Sequence, residues 1–107
     1  MKTYDLYGFL LGDINKAKET LENVLSIKFE GRDSSYHGEY FKWNEECSDE
    51  NLILKHNIDT IDEEPVEMTF AEYPILLYVN NTLRSVDLQG VIAQKAKEFI
   101  LLRHEKL

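Results

Sequence analysis

The sequence predicts an α+β fold, a two-layer sandwich in which an antiparallel-dominated sheet of four to six strands packs under two helices. Segments with the two-residue periodicity of strands lie between two segments with helical periodicity, at about residues 13–25 and 85–104. The chain has 107 residues, of which 43% are hydrophobic and 11% aromatic. This is enough chain for one hydrophobic core and too little for two. We therefore expect residues 1–107 to form a single domain.

The first predicted elements are a strand and a helix. Residues 3–11 alternate in polarity and are rich in side chains that suit a pleated surface. Gly12 then breaks the strand, and Asp13 is placed to cap the start of a helix. The apolar positions that follow recur at spacings of three and four; they are Ile14, Ala17, Leu21, Val24 and Leu25. A strand followed by an amphipathic helix is predicted.

A hairpin is predicted next. Residues 27–30 are a short extended stretch, residues 31–35 have the composition of a turn, and residues 36–43 form a second extended stretch. Two neighbouring antiparallel strands would follow from this arrangement.

Three further strands and a long helix complete the prediction. The strands are expected at residues 51–57, 66–70 and 75–79. The last of these is a continuous apolar run after Pro74, which is typical of a buried central strand. From Ser85 to about His104 an apolar stripe with helical spacing predicts the longest helix.

The charge of the chain is concentrated in one segment. Twenty acidic and twelve basic residues give a net charge of -8. Residues 44–72 contain ten acidic residues and a single base, Lys55, so this segment carries -9 and the rest of the chain carries +1. Such crowding of like charge costs folding free energy, and it is typical either of a surface that keeps a protein soluble or of a docking surface for a basic partner.

We take the docking surface as the working hypothesis. The residues assigned to electrostatic steering are Glu45, Glu46, Asp49, Glu50, Asp59, Asp62, Glu63 and Glu64. Aromatic residues adjoin the acidic segment, and Tyr40 and Trp43 are candidate anchors because tyrosine and tryptophan bury a large area and keep a polar tip. Packing in the core is the alternative role for both aromatic side chains.

Composition also restricts the partners and the compartment. The net negative charge disfavours direct binding to nucleic acid or to anionic membranes. The longest apolar run near the N-terminus is Phe9-Leu10-Leu11, which is too short for a signal peptide or a membrane span. A single cysteine, Cys47, suits a reducing compartment, so we expect a cytoplasmic protein.

The sequence contains no pattern that predicts an active site. Acidic neighbours of Cys47 disfavour the thiolate that a catalytic cysteine needs. His37, His56 and His104 lack the spacing of a metal site, and the chain has no glycine-rich phosphate loop or nucleophile elbow. We therefore expect a protein that is not an enzyme, with no catalytic residue, no metal and no cofactor.

One set of short motifs resembles a known family. The residues that carry the resemblance span about the central two thirds of the chain; they are Ile27-Lys28-Phe29-Glu30, Arg32, Ser34-Ser35-Tyr36, Gly38-Glu39-Tyr40 and Tyr73-Pro74-Ile75-Leu76-Leu77. This pattern resembles small immunity proteins of bacterial contact-dependent growth inhibition systems. The resemblance implies a protein without chemistry of its own that binds a cognate toxin domain, which we expect to be a basic nuclease, and blocks its active site.

Two other functions stay open. An acidic protein can imitate nucleic acid and so inhibit a DNA-binding or defence protein, and a sandwich of this kind can also serve as a small ligand-binding or hydrolase domain. For the favoured function, the expected assembly is a monomer or a 1:1 heterodimer with the partner.

Overall fold

A computed structural model describes residues 2–34, 38–58 and 63–106. The described residues form six strands and two helices, which confirms the predicted α+β fold. The elements are β1 Thr3–Phe9, α1 Ile14–Leu25, β2 Glu30–Ser34, β3 Gly38–Asn44, β4 Asn51–His56, β5 Ile75–Thr82, α2 Ser85–Lys95 and β6 Phe99–Lys106. All pairs of neighbouring strands are antiparallel, and the strand order is β2-β3-β4-β5-β1-β6.

The hydrophobic core lies between the two helices and one face of the sheet. Alternate residues of β1, β4 and β5 point into it, and the rings of Phe9 and Phe99 join β1 to β6 with a centroid distance of 4.6 Å. The helices contribute Ile14, Ala17, Leu21, Leu88 and Ile92, and Ala96 directly after α2 adds to them; all are buried. The period-two pattern of the strands and the three-to-four spacing of the helices therefore meet in one core.

Helix α1 begins and ends where local chemistry dictates. The carboxylate of Asp13 accepts hydrogen bonds from the backbone N–H groups of Asn15 at 3.0 Å and Lys16 at 3.2 Å, as the sequence predicted for a capping residue. Ser26 adopts a left-handed conformation with φ of 56°, which ends the helix.

The prediction for the C-terminal region was wrong in part. Helix α2 ends at Lys95, and Phe99–Lys106 is a strand that pairs with β1 instead of the second half of a helix over 85–104. The backbone N–H of Phe99 donates to the carbonyl of Ala96 at 3.0 Å, so a turn separates the two elements. The apolar residues at 99–102 are compatible with the apolar face of a helix and equally with a buried strand. They form a strand because β1 offers an open edge with which they can pair.

Three shorter predictions were also wrong, in two places along the chain. Residues 31–34 belong to β2 and are not a turn, while residues 27–29 are not a strand, since the N–H of Phe29 donates to the Glu22 carboxylate at 2.8 Å. Residues 66–70 do not form a strand either: Met68–Phe70 is a single 3₁₀ turn, and the N–H of Glu67 donates to the Asn57 side chain at 2.9 Å. At Phe29 and at Glu67, a side chain accepts the hydrogen bond of a backbone N–H group that a strand would use for pairing.

Candidate functional site

The face of the sheet that points away from both helices, called the outer face below, carries the candidate site. Cross-strand neighbours bring Tyr40 beside Lys55, Lys42 beside Ile53, and Ile53 beside Tyr78. These side chains, with Val66 and Asn80, line a groove of about 400 Å³. A second groove of about 270 Å³ shares Tyr78 and Asn80 with the first and extends toward β1 and β6. The outer face therefore presents one continuous surface that is rich in tyrosine.

Residues 63–73, called the cover segment below, lie over part of this face and are fixed by one side chain. Asn57 is 7% exposed, and its amide nitrogen donates to the carbonyls of Phe70 at 3.0 Å and Tyr73 at 2.9 Å. Its amide oxygen accepts from the N–H of Glu67 at 2.9 Å. Three hydrogen bonds from one buried amide hold the segment in place.

The cover segment is also bound directly to the sheet. Glu67 accepts a hydrogen bond from the Tyr78 hydroxyl at 2.8 Å and forms an ion pair with Arg103 at 3.0 Å. Burial and the adjacent Glu67 carboxylate raise the pKa of Tyr78, which keeps its hydroxyl protonated and donating. Near the other end of the segment, the Tyr73 ring lies so close to Gly8 that a Cβ at residue 8 would be 2.5 Å from ring carbons.

Exposed apolar side chains stand on and beside the cover segment. Met68 is 68% exposed, Ile58 45% and Val66 36%. Glu63, Glu64 and Glu72 of the same segment are also exposed, and the described residues provide no ion pair for any of them. An apolar centre with a charged rim is the composition of protein interfaces.

The acidic residues assigned from the sequence do not form a single belt. Glu45, Glu46, Asp49 and Glu50 lie at the turn that leads into β4, whereas Glu63 and Glu64 follow the opposite end of that strand. Asp59 and Asp62 lie outside the described residues.

Within the turn before β4, the four carboxylates have different environments. Glu46 is exposed and Glu45 is half-buried. Asp49 forms an exposed ion pair with Lys2 at 2.8 Å. Glu50 is only 5% exposed and accepts hydrogen bonds from Thr82 at 2.6 Å and from Arg84 at 2.7 Å. Its carboxylate is therefore part of the interior, and we withdraw Glu50 from the residues assigned to steering.

Opposing effects act on the Glu50 carboxyl. Burial raises its pKa, but the hydrogen bonds from Arg84 and Thr82 and the charge of Arg84 outweigh burial, so the pKa lies below its ordinary value. Glu50 also joins the start of β4 to the end of β5 and to α2.

The two predicted aromatic anchors occupy different faces. Tyr40 lies half-buried in the groove of the outer face. Trp43 is half-buried against the hydrophobic core on the helix side. The sequence signal for the groove is the two-residue alternation in β3 and β4. It places Tyr40, Lys42, Ile53 and Lys55 on the face opposite the core.

A polar cluster around the buried Asp5 connects β1, α2 and β6, and no sequence pattern predicts it. The side chain of Asp5 is fully buried; it accepts a hydrogen bond from the Ser85 hydroxyl at 2.5 Å and meets Nδ1 of His104. Gln89 donates to the Ser85 hydroxyl at 2.9 Å. In a nucleophilic triad the imidazole lies between the carboxylate and the hydroxyl and uses a different ring nitrogen for each. Here the Ser85 hydroxyl bonds the carboxylate directly and lies 3.4 Å from Nδ1 of His104, the nitrogen that also meets Asp5, so a triad is not formed.

The described residues provide neither a cluster of metal ligands nor a helix that could span a membrane. Among them, no group of three histidine, cysteine, aspartate or glutamate side chains is placed to hold a metal ion. None of the helices in the described part of the chain has the length and hydrophobicity to cross a membrane. Cys47 is exposed.

No family model matches the chain, and no curated protein matches it.

Proposed function

We propose that this protein acts in the cytoplasm as an immunity protein, which binds the toxin domain of a polymorphic toxin system and neutralises it by covering its active site. The proposal rests on the resemblance of the hairpin and Tyr73–Leu77 regions to such proteins and on the surface that the outer face presents. Neutralisation by occlusion needs a complementary surface and no reaction. We expect the partner to be a basic nuclease, because such an enzyme must hold phosphate groups with lysine and arginine.

The observation that carries the proposal is the combination of apolar and acidic side chains on the cover segment. An acidic segment that served only solubility would gain nothing from an exposed Met68 beside Val66. Exposed apolar side chains cost free energy in water, and contact with a partner recovers that cost. The same segment supplies carboxylates at Glu63 and Glu64 that form no ion pair among the described residues, which suits a basic partner.

The groove beneath the cover segment supplies the second part of the surface. Tyr40 and Tyr78 present rings that bury area at a low cost in conformational entropy, and Ile53 adds an aliphatic contact. Tyr78 is positioned by its hydrogen bond to Glu67. A partner side chain that enters this groove would contact the sheet and the cover segment together.

Other acids of the predicted set serve encounter with the partner. Glu45 and Glu46 at the turn before β4, together with Glu63 and Glu64, create a negative potential around the docking surface. Complementary charge raises association rates from about 10⁵–10⁶ toward about 10⁸–10⁹ M⁻¹s⁻¹ at low salt. Fast capture is important for an inhibitor whose target damages the cell.

The experiment that tests the proposal is co-expression with the protein encoded by the adjacent gene, followed by pull-down and measurement of cell survival. We expect a stable complex and rescue of growth. Met68→Asp should weaken binding at least tenfold, whereas Leu10→Asp, which changes a 52%-exposed side chain at the end of β1, should leave it within twofold. Absence of a complex, or equal effects of both substitutions, would contradict the proposal. Competition by duplex DNA across unrelated DNA-binding proteins would instead favour a nucleic-acid mimic.

Small-molecule binding is a second candidate, and the groove itself is the observation that favours it. Its volume of about 400 Å³ lies within the range of ligand sites, and Lys42 and Asn80 contribute polar groups. A small molecule that raises the melting temperature of the wild type and of Met68→Asp, but not of Ile53→Arg, would support this candidate. No shift with any compound would leave protein binding as the function.

A further inference from the structure

The β6 side of the molecule has a second concentration of exposed apolar side chains. Among the described residues, nine large hydrophobic side chains are exposed, and three of them border the groove between β6 and the start of α2. These are Val86 at 81% exposure, Leu83 at 69% and Leu101 at 38%. This groove has a volume of about 450 Å³ and lies on the helix side of the sheet. It is separate from the outer-face groove of the proposed function.

Strand β6 is itself an edge strand. It pairs with β1 on one side, and in the described part of the chain no strand pairs with its other side. An edge strand of eight residues presents unpaired backbone donors and acceptors that can accept another strand. At the opposite edge, β2 is shorter, with five residues and the charged sequence Glu30-Gly31-Arg32-Asp33-Ser34. Its charges protect that edge from pairing.

The register of β6 limits where a new strand can pair regularly. Leu6 pairs with Arg103 while Tyr7 pairs with Leu101, so Leu102 is an extra residue and forms a bulge. After the bulge the strand is regular, and Arg103 and Glu105 lie on the outer face while His104 lies on the helix side. Residues 103–105 are therefore the part of the edge that is best suited to pairing.

The sequence Arg103-His104-Glu105 is complementary to itself in an antiparallel pair. If a second copy pairs with a two-fold axis at His104, each Arg103 lies opposite Glu105 of the other copy. The ion pair that Arg103 makes with Glu105 of its own chain at 3.0 Å is then exchanged for two reciprocal ion pairs between the copies. The same axis brings the exposed Leu83 and Val86 of both copies together, because these residues and His104 line one groove.

The distribution of charge permits this association. Residues 83–106 carry five basic and three acidic side chains, a formal charge of +2, in a chain whose total is -8. The acids of residues 44–72 that lie next to this region are Glu67, which pairs with Arg103, and Glu45 and Glu50, which border Arg84. The basic side chains of residues 83–106 offset these acids at the interface.

We propose that two copies of this protein pair through β6, in an antiparallel register with Arg103 opposite Glu105 of the second copy and with Leu83 and Val86 packed at the two-fold axis. The assembly leaves Tyr40 and Ile53 accessible, since β5 and β1 separate their strands from β6. Two partners can therefore bind one dimer. The inference does not depend on the identity of the partner.

Analytical ultracentrifugation of the full chain, over roughly micromolar to millimolar concentrations, tests this interface. We expect a concentration-dependent dimer that Val86→Asp converts to a monomer and that Leu10→Asp leaves intact. Circular dichroism should show that both variants stay folded. A wild type that is monomeric at every concentration, or a dimer that Val86→Asp does not weaken, would overturn the proposal.

The register has a more specific test in charge reversal. Arg103→Glu places two glutamates opposite each other, and Glu105→Arg places two arginines opposite each other, so each variant alone should be monomeric. Mixed together, the two variants should form a heterodimer, because every pair across the interface is then opposite in charge. Failure of the folded variants to associate on mixing would exclude this register.

Discussion

Glu50 and Arg84, which are 34 residues apart, form a bidentate ion pair that ties the start of β4 to the start of α2. The arginine Nη2 lies 2.7 Å and its Nε 2.9 Å from the two carboxylate oxygens. The Glu50 side chain is 5% exposed and that of Arg84 is 45% exposed. The ion pair therefore joins a buried carboxylate to a guanidinium that lies partly at the surface. Burial removes water from the carboxylate, and among the described residues Arg84 and Thr82 are the side chains that donate hydrogen bonds to it in place of water.

Arg84→Met should therefore destabilise the fold. The substitution keeps most of the aliphatic side chain and leaves the Glu50 carboxylate without its cation. We expect the free energy of unfolding to fall by about 1–3 kcal/mol, because the ion pair lies partly at the surface. Urea unfolding at pH 7 measures the free energy of unfolding. Lys2→Met removes the cation from the exposed pair with Asp49 and should change it little. Equal effects of the two substitutions would contradict the structural role of Glu50.

The effect of Arg84→Met should depend on pH. The lowered pKa of Glu50 means that its contribution to stability is present above the ordinary glutamate pKa of roughly 4.3 and is lost as pH falls through the folded-state value. In the variant, only the hydrogen bond from Thr82 still opposes burial, so the protonated carboxyl is more favoured than in the wild type. The difference in unfolding free energy between wild type and variant should thus shrink between pH 7 and about pH 3. A constant difference would show that Glu50 ionisation does not contribute.

Gly8→Ala should destabilise the protein and loosen the cover segment. The added Cβ would meet the Tyr73 ring at 2.5 Å, so the ring and the segment that carries it must shift. Overpacking of this kind costs about 1–3 kcal/mol. The matched change Gly90→Ala, on an exposed position of α2 with nothing within 4 Å, should stabilise by up to about 1 kcal/mol. Thermal unfolding of both variants measures the contrast, and the same sign for both would be inconsistent with the structure.

Asn57→Ala should release the cover segment while the sheet stays folded. The amide makes three hydrogen bonds to backbone groups of the segment, and their loss leaves those groups unsatisfied at a cost of about 1–3 kcal/mol. Limited proteolysis should show faster cleavage within residues 63–73, with the circular dichroism of the sheet unchanged. Asn23→Ala, on the exposed surface of α1, is the control and should not change cleavage.

The strands that pair through regular alternation were predictable from sequence, and the contacts of single polar side chains were not. Asp13 at the start of α1 and the apolar run of β5 follow from local rules. The Asp5–Ser85 bond spans 80 residues, and no local pattern indicates which carboxylate a fold will bury. For the same reason, charge counting assigned Glu50 to the surface, because it treats every carboxylate of a segment as exposed.

The C-terminal strand shows a different limit. Residues 99–102 are apolar without interruption, so periodicity does not distinguish a helix from a strand, and the partner strand β1 is almost 100 residues away. Asn57 presents the same difficulty for the cover segment, since one amide replaces the hydrogen bonds that a strand at 66–70 would make.

The rate of association with the proposed basic partner tests the central claim most directly. Glu63→Lys with Glu64→Lys reverses charge on the cover segment, and Glu19→Lys with Glu98→Lys makes the same change in net charge at exposed positions on α1 and just before β6. In stopped-flow measurements at about 50 mM salt, the first pair should slow association at least tenfold and the second less than threefold, with the difference declining toward about 300 mM. Equal slowing by both pairs, or association that does not respond to salt, would contradict docking on this face.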